Sequence, residues 1–166
     1  MKKEKKYLLF LVENQEPYAF MLKYKLLKKS QYQILSFKSS EECLESIHLN
    51  PDLILLDFML PGLSSIKTIK VLMQLAPKIP VLLIATFDDI LTAPDFKSIY
   101  DRFNKKGILD YLVKEDDTTV FSDHLLTRVA MIFERKKLNR HRAFRKMLFI
   151  SIALILLLTT AILLFR

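Results

Sequence analysis

The segment that most constrains the fold is Leu53–Asp57, in which four apolar residues run directly into a carboxylate ahead of the turn Pro61-Gly62. A short, wholly apolar run bounded by turn residues is typical of a strand buried on both faces. Asp57 then lies at the C-terminal edge of the sheet, where open α/β folds bind ligands. This position favours a functional carboxylate over the alternative, a solvated Asp that only ends a strand.

Four more strand-like segments alternate with helical patterns along the chain. The predicted strands are Tyr7–Val12, Tyr32–Phe37, Val81–Thr86 and Ile108–Val113, and the helices begin near Pro17, Ser39, Ser64, Thr92 and Thr118. Apolar strands that alternate with helices indicate a parallel sheet joined by right-handed crossovers. The prediction is an α/β fold with a flavodoxin-like five-stranded parallel sheet, order 2-1-3-4-5, and helices on both faces.

Two local expectations concern the helices. Phe20, Tyr24 and Leu27 keep helical spacing, so we expect them to form the inner face of the first helix, with lysines on its outer face. The segment that begins with Phe87-Asp88-Asp89 is expected to be a loop leading into the helix that starts near Thr92.

The C-terminal segment from Met147 to Phe165 contains nineteen residues and no charge. As a helix it would be about 28 Å long, which matches the hydrocarbon thickness of a bilayer. A core helix would carry a polar stripe, whereas this segment is apolar all round. The sequence therefore predicts one transmembrane helix, with a buried core helix or a partner-binding helix as the alternatives.

Seven cations and no acid lie between residues 135 and 146, immediately before this segment. The positive-inside rule places the preceding domain in the cytoplasm, so we expect a single-pass, tail-anchored protein of the cell membrane. Anionic headgroups of the lipid bilayer explain the basic run better than nucleic acid does, and no nucleic-acid partner is expected. The predicted organisation is a domain over residues 1–139, a basic juxtamembrane linker over residues 140–146 and a transmembrane helix over residues 147–165.

Polar side chains follow three of the predicted strands. Glu13 and Asn14 follow the first strand, Asp57 ends the third and Lys114 follows the fifth. Because the first and third strands are neighbours in the predicted order, Glu13, Asn14 and Asp57 are expected to converge at one edge of the sheet.

The motifs LVENQEP, PDLILLDFMLPG, IPVLLIATFDD and DYLVKED resemble, in order and spacing, four motifs of the response-regulator receiver domains of two-component signalling. The resemblance covers roughly Lys6 to Asn139. It implies that Asp57 is the phosphoacceptor, Lys114 the lysine that pairs with the phosphoryl oxygens, and Tyr111 the aromatic switch residue. It also implies a signalling domain rather than an enzyme, capable at most of self-phosphorylation and dephosphorylation, with a histidine kinase or phosphotransfer protein as partner.

The resemblance further implies a Mg²⁺ site formed by Glu13, Asn14, Asp57 and the backbone carbonyl of Met59. Asn14 is a neutral amide where the family carries a second acid, so Mg²⁺ binding is expected to be weak or absent. Two other departures are Ala85, which replaces the switch hydroxyl and leaves Thr86 one place later as the candidate, and Glu115, which replaces a proline.

Two functions follow from this pattern. The first is a membrane-tethered receiver domain in phosphorelay signal transduction that accepts phosphate on Asp57, with weakened Mg²⁺-dependent phosphotransfer. The alternative is a degenerate pseudo-receiver, a protein-binding module that docks a downstream protein at the membrane whatever its phosphorylation state. Retention of Asp57, Lys114 and Tyr111 favours the first function, whereas Asn14 and Ala85 favour the second.

Overall fold

The computed structural model of the chain describes residues 6–29, 31–93, 95–104, 109–115 and 117–164. The chain divides into two compact units at the step from Arg128 to Val129. The first unit contains the whole sheet, and the second contains the C-terminal part of the last helix.

One sheet of five parallel strands organises the first unit. The strands are β1 (Tyr7–Val12), β2 (Tyr32–Phe37), β3 (Leu53–Asp57), β4 (Val81–Ala85) and β5 (Leu109–Val113). Their spatial order is β2-β1-β3-β4-β5, which confirms the predicted flavodoxin-like sheet.

Six α-helices and a short 3₁₀ turn (Ile47–Leu49) connect and follow these strands. The helices are α1 (Glu16–Leu27), α2 (Ser40–Glu45), α3 (Ser65–Leu75), α4 (Phe87–Thr92), α5 (Phe96–Asn104) and α6 (Thr118–Leu164). The predicted loop at Phe87-Asp88-Asp89 is wrong, because β4 ends at Ala85 and the side chain of the next residue, Thr86, caps α4. A six-residue helix is too short to show a periodic apolar face in the sequence.

Strand β3 lies at the centre of the sheet and all five of its residues are buried. Its register places Leu55 beside Leu11 of β1 and Leu82 of β4. This burial follows from the all-apolar sequence, since a central parallel strand has no solvent-facing side. Packing and strand pairing on both sides of β3 therefore hold Asp57, its last residue, in a defined position.

Leu55→Ala is expected to destabilise the chain by about 2–5 kcal/mol, because Leu55 is fully buried and truncation leaves a cavity. Chemical unfolding of the full chain in detergent, followed by circular dichroism, measures this loss. Leu75→Ala is the matched control: Leu75 is an exposed leucine in α3, so its truncation should change the free energy of unfolding by less than about 0.5 kcal/mol. Equal losses for the two variants would contradict the buried position of β3.

Helix α1 packs through a different face from the one predicted. Leu22 and Leu26 are its fully buried residues, whereas Phe20 is 72% exposed and Tyr24 is 54% exposed. The predicted inner face is therefore wrong. The sequence misleads here because apolar residues surround much of α1, so spacing alone does not single out one side.

The second unit contains the rest of α6. Between Thr119 and Ala161 this helix is long and apolar enough, by length and composition, to cross a membrane, and none of its most apolar window is buried. The large apolar side chains from Met147 to Leu158 are exposed. The predicted linker over residues 140–146 is helical and lies within α6, and Phe165 lies outside the described residues.

Candidate functional site

Asp57 ends β3 and is 1% exposed. Its Oδ2 atom accepts a hydrogen bond from Lys114 Nζ at 2.7 Å, and its Oδ1 atom accepts one from the backbone N–H of Met59 at 3.1 Å. Asp57 and Lys114 therefore meet as predicted, although they are far apart in the sequence. The two donors fix the orientation of the carboxylate at the edge of the sheet.

The loop after Asp57 is held by side chains on both sides. Ser65 Oγ is 2.6 Å from the carbonyl oxygen of Asp57 and 2.7 Å from that of Phe58, so this hydroxyl is shared between two acceptors. Glu41 accepts a hydrogen bond from the backbone N–H of Leu63. Gly62 has a φ of +76°, a conformation that side-chain-bearing residues rarely adopt. Hydrogen bonds from Ser65 and to Glu41 therefore fix the conformation of the turn that follows Asp57.

Glu13 follows β1 and is 3% exposed. Its Oε1 atom accepts a hydrogen bond from the backbone N–H of Gln15, while Oε2 has no hydrogen-bond partner among the described residues. Lys114 Nζ lies 3.9 Å from Oε2. Burial, and then the neighbouring Asp57 carboxylate, raise the pKa of Glu13 to about 8.

This raised pKa predicts a pH dependence of stability in the absence of divalent cations. From the ordinary value of 4.5 up to about 8, folded Glu13 keeps a proton that the unfolded chain has lost. The free energy of unfolding should therefore fall as the pH rises through this window. In Glu13→Gln the free energy of unfolding should fall less with pH, so at about pH 9 this variant should be more stable than the unmodified chain.

Chemical unfolding of the full chain at a series of pH values between about 5 and about 9 checks this expectation. Glu45→Gln is the control, since Glu45 is an exposed carboxyl at the end of α2. An identical pH profile for Glu13→Gln and the unmodified chain would contradict the raised pKa.

The structure adds one aromatic residue to the site that the sequence did not single out. Lys114 Nζ lies 4.8 Å from the centroid of the Tyr18 ring, and the Tyr18 ring packs on Phe121 with centroids 5.8 Å apart. Pro17 occupies one of the first positions of α1, which sets Tyr18 in the first turn beside the end of β1. A Pro-aromatic pair directly after the acidic segment is the only local signal of this placement.

The predicted metal ligands fall into two groups. Glu13 and Asp57 are buried carboxyl groups that both lie near Lys114 Nζ, at 3.9 and 2.7 Å, and the unbonded Oε2 of Glu13 is suited to a hard cation. Asn14 is exposed, and Met59 has an exposed side chain and directs its N–H to Asp57. Among the described residues no cluster of three acidic, histidine or cysteine side chains exists. The donor set fits a divalent cation, with less negative charge than a site with three carboxylates.

Of the predicted switch residues, Thr86 directly follows β4 and Tyr111 lies in the neighbouring strand β5. Ala85 is buried at the end of β4, so no hydroxyl is present at that position. Thr86 forms a reciprocal cap with Asp89: its N–H donates to Asp89 Oδ2 at 2.7 Å, and its Oγ1 accepts from Asp89 N–H at 3.2 Å. The half-buried ring of Tyr111 packs edge-to-face on Tyr100 and Phe96 of α5, with centroids 5.1 and 5.7 Å away.

Two sequence comparisons agree with this geometry. The response regulator receiver domain family matches residues 9–125 of the chain. The alkaline phosphatase synthesis transcriptional regulatory protein PhoP of Bacillus subtilis is 33% identical over 82 residues, which are 49% of this chain and 34% of that protein. The chain thus spans about a third of the length of that relative.

Solved structures share the fold. A candidate response regulator from Chloroflexus aurantiacus is 28% identical with a TM-score of 0.59, over 77% of this chain and 98% of that chain. The receiver domain of a candidate Luxo repressor protein from Vibrio parahaemolyticus is 24% identical with a TM-score of 0.65, over 81% and 95%. The Mn²⁺-bound form of response regulator Rcp1 is 16% identical with a TM-score of 0.57, over 71% and 88%. The family match, together with the fold and the Asp57–Lys114 pair, shows that this chain belongs to the response regulator receiver domain family of two-component signalling.

Proposed function

We propose that the chain is a membrane-tethered receiver domain that accepts a phosphoryl group on Asp57, with Mg²⁺-dependent transfer weakened by Asn14. The observation that carries this proposal is the 2.7 Å contact between Asp57 Oδ2 and Lys114 Nζ at the edge of the sheet. The phosphoryl donor is a histidine kinase or phosphotransfer protein. The domain has no catalytic activity beyond its own phosphorylation and dephosphorylation.

The proposed transfer uses Asp57 as a nucleophile. A carboxylate oxygen of Asp57 attacks the phosphorus of a phosphohistidine whose other ring nitrogen is protonated: a P–O bond forms, the P–N bond breaks with its electron pair going to nitrogen, and neutral imidazole leaves. Lys114 then pairs with oxygens of the phosphoryl group, which it reaches because its ammonium already contacts Asp57. The backbone N–H of Met59 holds the second carboxylate oxygen, so the nucleophile keeps one orientation.

Glu13, Asp57 and the carbonyl of Met59 would hold a divalent cation, with Asn14 as a fourth and weaker donor. When bound, Mg²⁺ supplies positive charge that offsets the charge of the transferred phosphoryl group. Response regulator Rcp1, which shares this fold, has been solved in a Mn²⁺-bound form. Asn14 brings no negative charge, and Lys114 already offsets the charge of Asp57, so the affinity for Mg²⁺ should be low.

Asn14→Asp is expected to tighten Mg²⁺ binding by about tenfold or more, because it adds one anion beside Glu13. The measurement is phosphoryl incorporation from a small phosphodonor, such as acetyl phosphate, at increasing Mg²⁺ concentration. Asn50→Asp, a change far from the site in the turn before β3, is the control for added charge. Equal Mg²⁺ dependence for the natural chain and Asn14→Asp would show that the role given to Asn14 is wrong.

The membrane tether is the C-terminal half of α6. Its support is the length and apolar composition of this helix together with the exposed apolar side chains from Met147 to Leu158. The seven cations before it would contact anionic headgroups on the cytoplasmic side, each contributing about 1 kcal/mol. On this proposal the receiver domain lies in the cytoplasm, the lipid bilayer is a partner, and nucleic acid is not.

The degenerate pseudo-receiver is retained as a second candidate because of the switch position. Ala85 carries no hydroxyl, and the Thr86 hydroxyl one place later accepts a hydrogen bond from the backbone N–H of Asp89 in the cap of α4, so the switch position itself offers no hydroxyl to a phosphoryl group on Asp57. On this reading the domain binds a downstream protein at the membrane whatever its phosphorylation state. The absence of phosphoryl incorporation at any Mg²⁺ concentration, in the natural chain and in Asn14→Asp alike, would favour it.

A further inference from the structure

The Lys114 ammonium has neighbours of three kinds. Asp57 Oδ2 is 2.7 Å away, Glu13 Oε2 is 3.9 Å away, and the Tyr18 ring centroid is 4.8 Å away. The Asp57 carboxylate attracts the ammonium by charge, and the face of the ring attracts it through its quadrupole. The ring is therefore the one aromatic group among these three contacts, and its attraction does not depend on an ionised partner.

Tyr18 is itself held in place. Its ring packs on Phe121, a fully buried residue at the start of α6, and Pro17 fixes the turn of α1 from which it projects. Burial, followed by the negative charge of Asp57, raises the pKa of Tyr18, so its hydroxyl stays protonated and the ring stays neutral. A fixed neutral ring can define where the ammonium lies without competing for the phosphoryl group.

We infer that Tyr18 is a positioning residue for Lys114: its ring holds the ammonium against Asp57 through a cation–π contact and a fixed packing position. This inference rests on the proposed function, in which Lys114 pairs with the phosphoryl oxygens. The carboxylate of Asp57 loses charge as it becomes an acyl phosphate, whereas the ring does not change. Tyr18 thus keeps the Lys114 ammonium in place while phosphorylation of Asp57 alters the ion pair between Lys114 and Asp57.

The first test is spectroscopic and does not depend on phosphoryl transfer. In the full chain in detergent micelles with isotope-labelled lysine, the side-chain signals of Lys114, assigned by their loss in Lys114→Arg, should be displaced upfield by the ring current of Tyr18. Tyr18→Phe should retain the displacement and Tyr18→Leu should remove it. Tyr24→Leu, which changes an exposed aromatic on the same helix, is the matched control and should leave the signals unchanged.

The second test is kinetic. With a small phosphodonor and Mg²⁺, Tyr18→Leu should take up the phosphoryl group about fivefold more slowly, the loss expected for one cation–π contact. Tyr18→Phe and Tyr24→Leu should remain within about twofold of the natural chain. Loss of rate in Tyr18→Phe equal to that in Tyr18→Leu would point to the hydroxyl and overturn the inference.

The two tests separate this inference from the proposed function. If the natural chain takes up no phosphoryl group, the proposed function fails. The side-chain signals of Lys114 still show whether its ammonium lies over the Tyr18 ring. If Lys114 shows no ring-current displacement in the natural chain, or keeps it in Tyr18→Leu, the inference is overturned even when Asp57 is phosphorylated.

Discussion

Asp57→Asn is expected to lose phosphoryl incorporation completely while the fold stays intact. The amide of asparagine is not a nucleophile that can form an acyl phosphate, and no other carboxylate in the described chain both ends a central strand and contacts Lys114. Glu13 is the nearest competitor, but its raised pKa keeps it largely protonated at neutral pH. The measurement is the intact mass of the full chain after incubation with a small phosphodonor and Mg²⁺.

Asp88→Asn is the matched control for this variant, because Asp88 is an exposed aspartate in the first turn of α4. It should keep the same phosphoryl mass as the natural chain. Incorporation that persists in Asp57→Asn would place the acceptor on a different residue, and the geometry around Lys114 would need another explanation.

Leu156→Lys is expected to release a large part of the chain from the membrane. Leu156 lies near the middle of the apolar segment of α6, and a lysine there costs about 2.5–3.5 kcal/mol at the centre of a transmembrane helix. A cost of this size corresponds to about a hundredfold shift between inserted and free chain. The fraction that remains in carbonate-washed membranes measures the shift.

Leu138→Lys provides the control, since Leu138 is also an exposed leucine of α6 but lies within the basic run before the apolar segment. It should stay in the membrane fraction as the natural chain does. A natural chain found in the soluble fraction without detergent, or a Leu156→Lys variant retained as fully as Leu138→Lys, would contradict the tether.

The sheet and the position of Asp57 at the end of its central strand could be predicted from the sequence, because parallel strands buried on both faces are apolar throughout. Leu53–Leu56 is apolar at every position, as a strand covered on both faces requires, and Asp57 ends the run at the edge of the sheet. Strand order then followed from the alternation of strands and helices, since right-handed crossovers leave few arrangements. The contact between Asp57 and Lys114 is a consequence of that order.

The helices were harder to predict, for reasons that differ from one to the next. Helix α1 carries apolar residues on most of its surface, so the spacing of Phe20, Tyr24 and Leu27 selected an exposed side. Helix α4 has only six residues and depends on the Thr86–Asp89 cap, a local hydrogen-bond pattern that a search for apolar periodicity does not detect.

Tyr18 shows why part of the site could not be predicted from the sequence. Its role depends on the distance between its ring and Lys114. Tyr18 lies near the start of the first unit and Lys114 near its end, so the sequence does not show that they meet. Packing of Tyr18 on Phe121 is likewise a tertiary contact with no sequence pattern of its own. Motif order identified the carboxylates and the lysine, whereas the aromatic contact required coordinates.

The most direct test of the central claim locates the phosphoryl group in the natural chain. The full chain, reconstituted in bilayers, is incubated with a small phosphodonor and Mg²⁺ and then treated with borohydride, which reduces an acyl phosphate of aspartate to homoserine. Peptide mass mapping should find homoserine at position 57 and at no other aspartate. Homoserine at a different position, or none at any position when the Mg²⁺ concentration is raised to saturation, would contradict Asp57 as the phosphoacceptor.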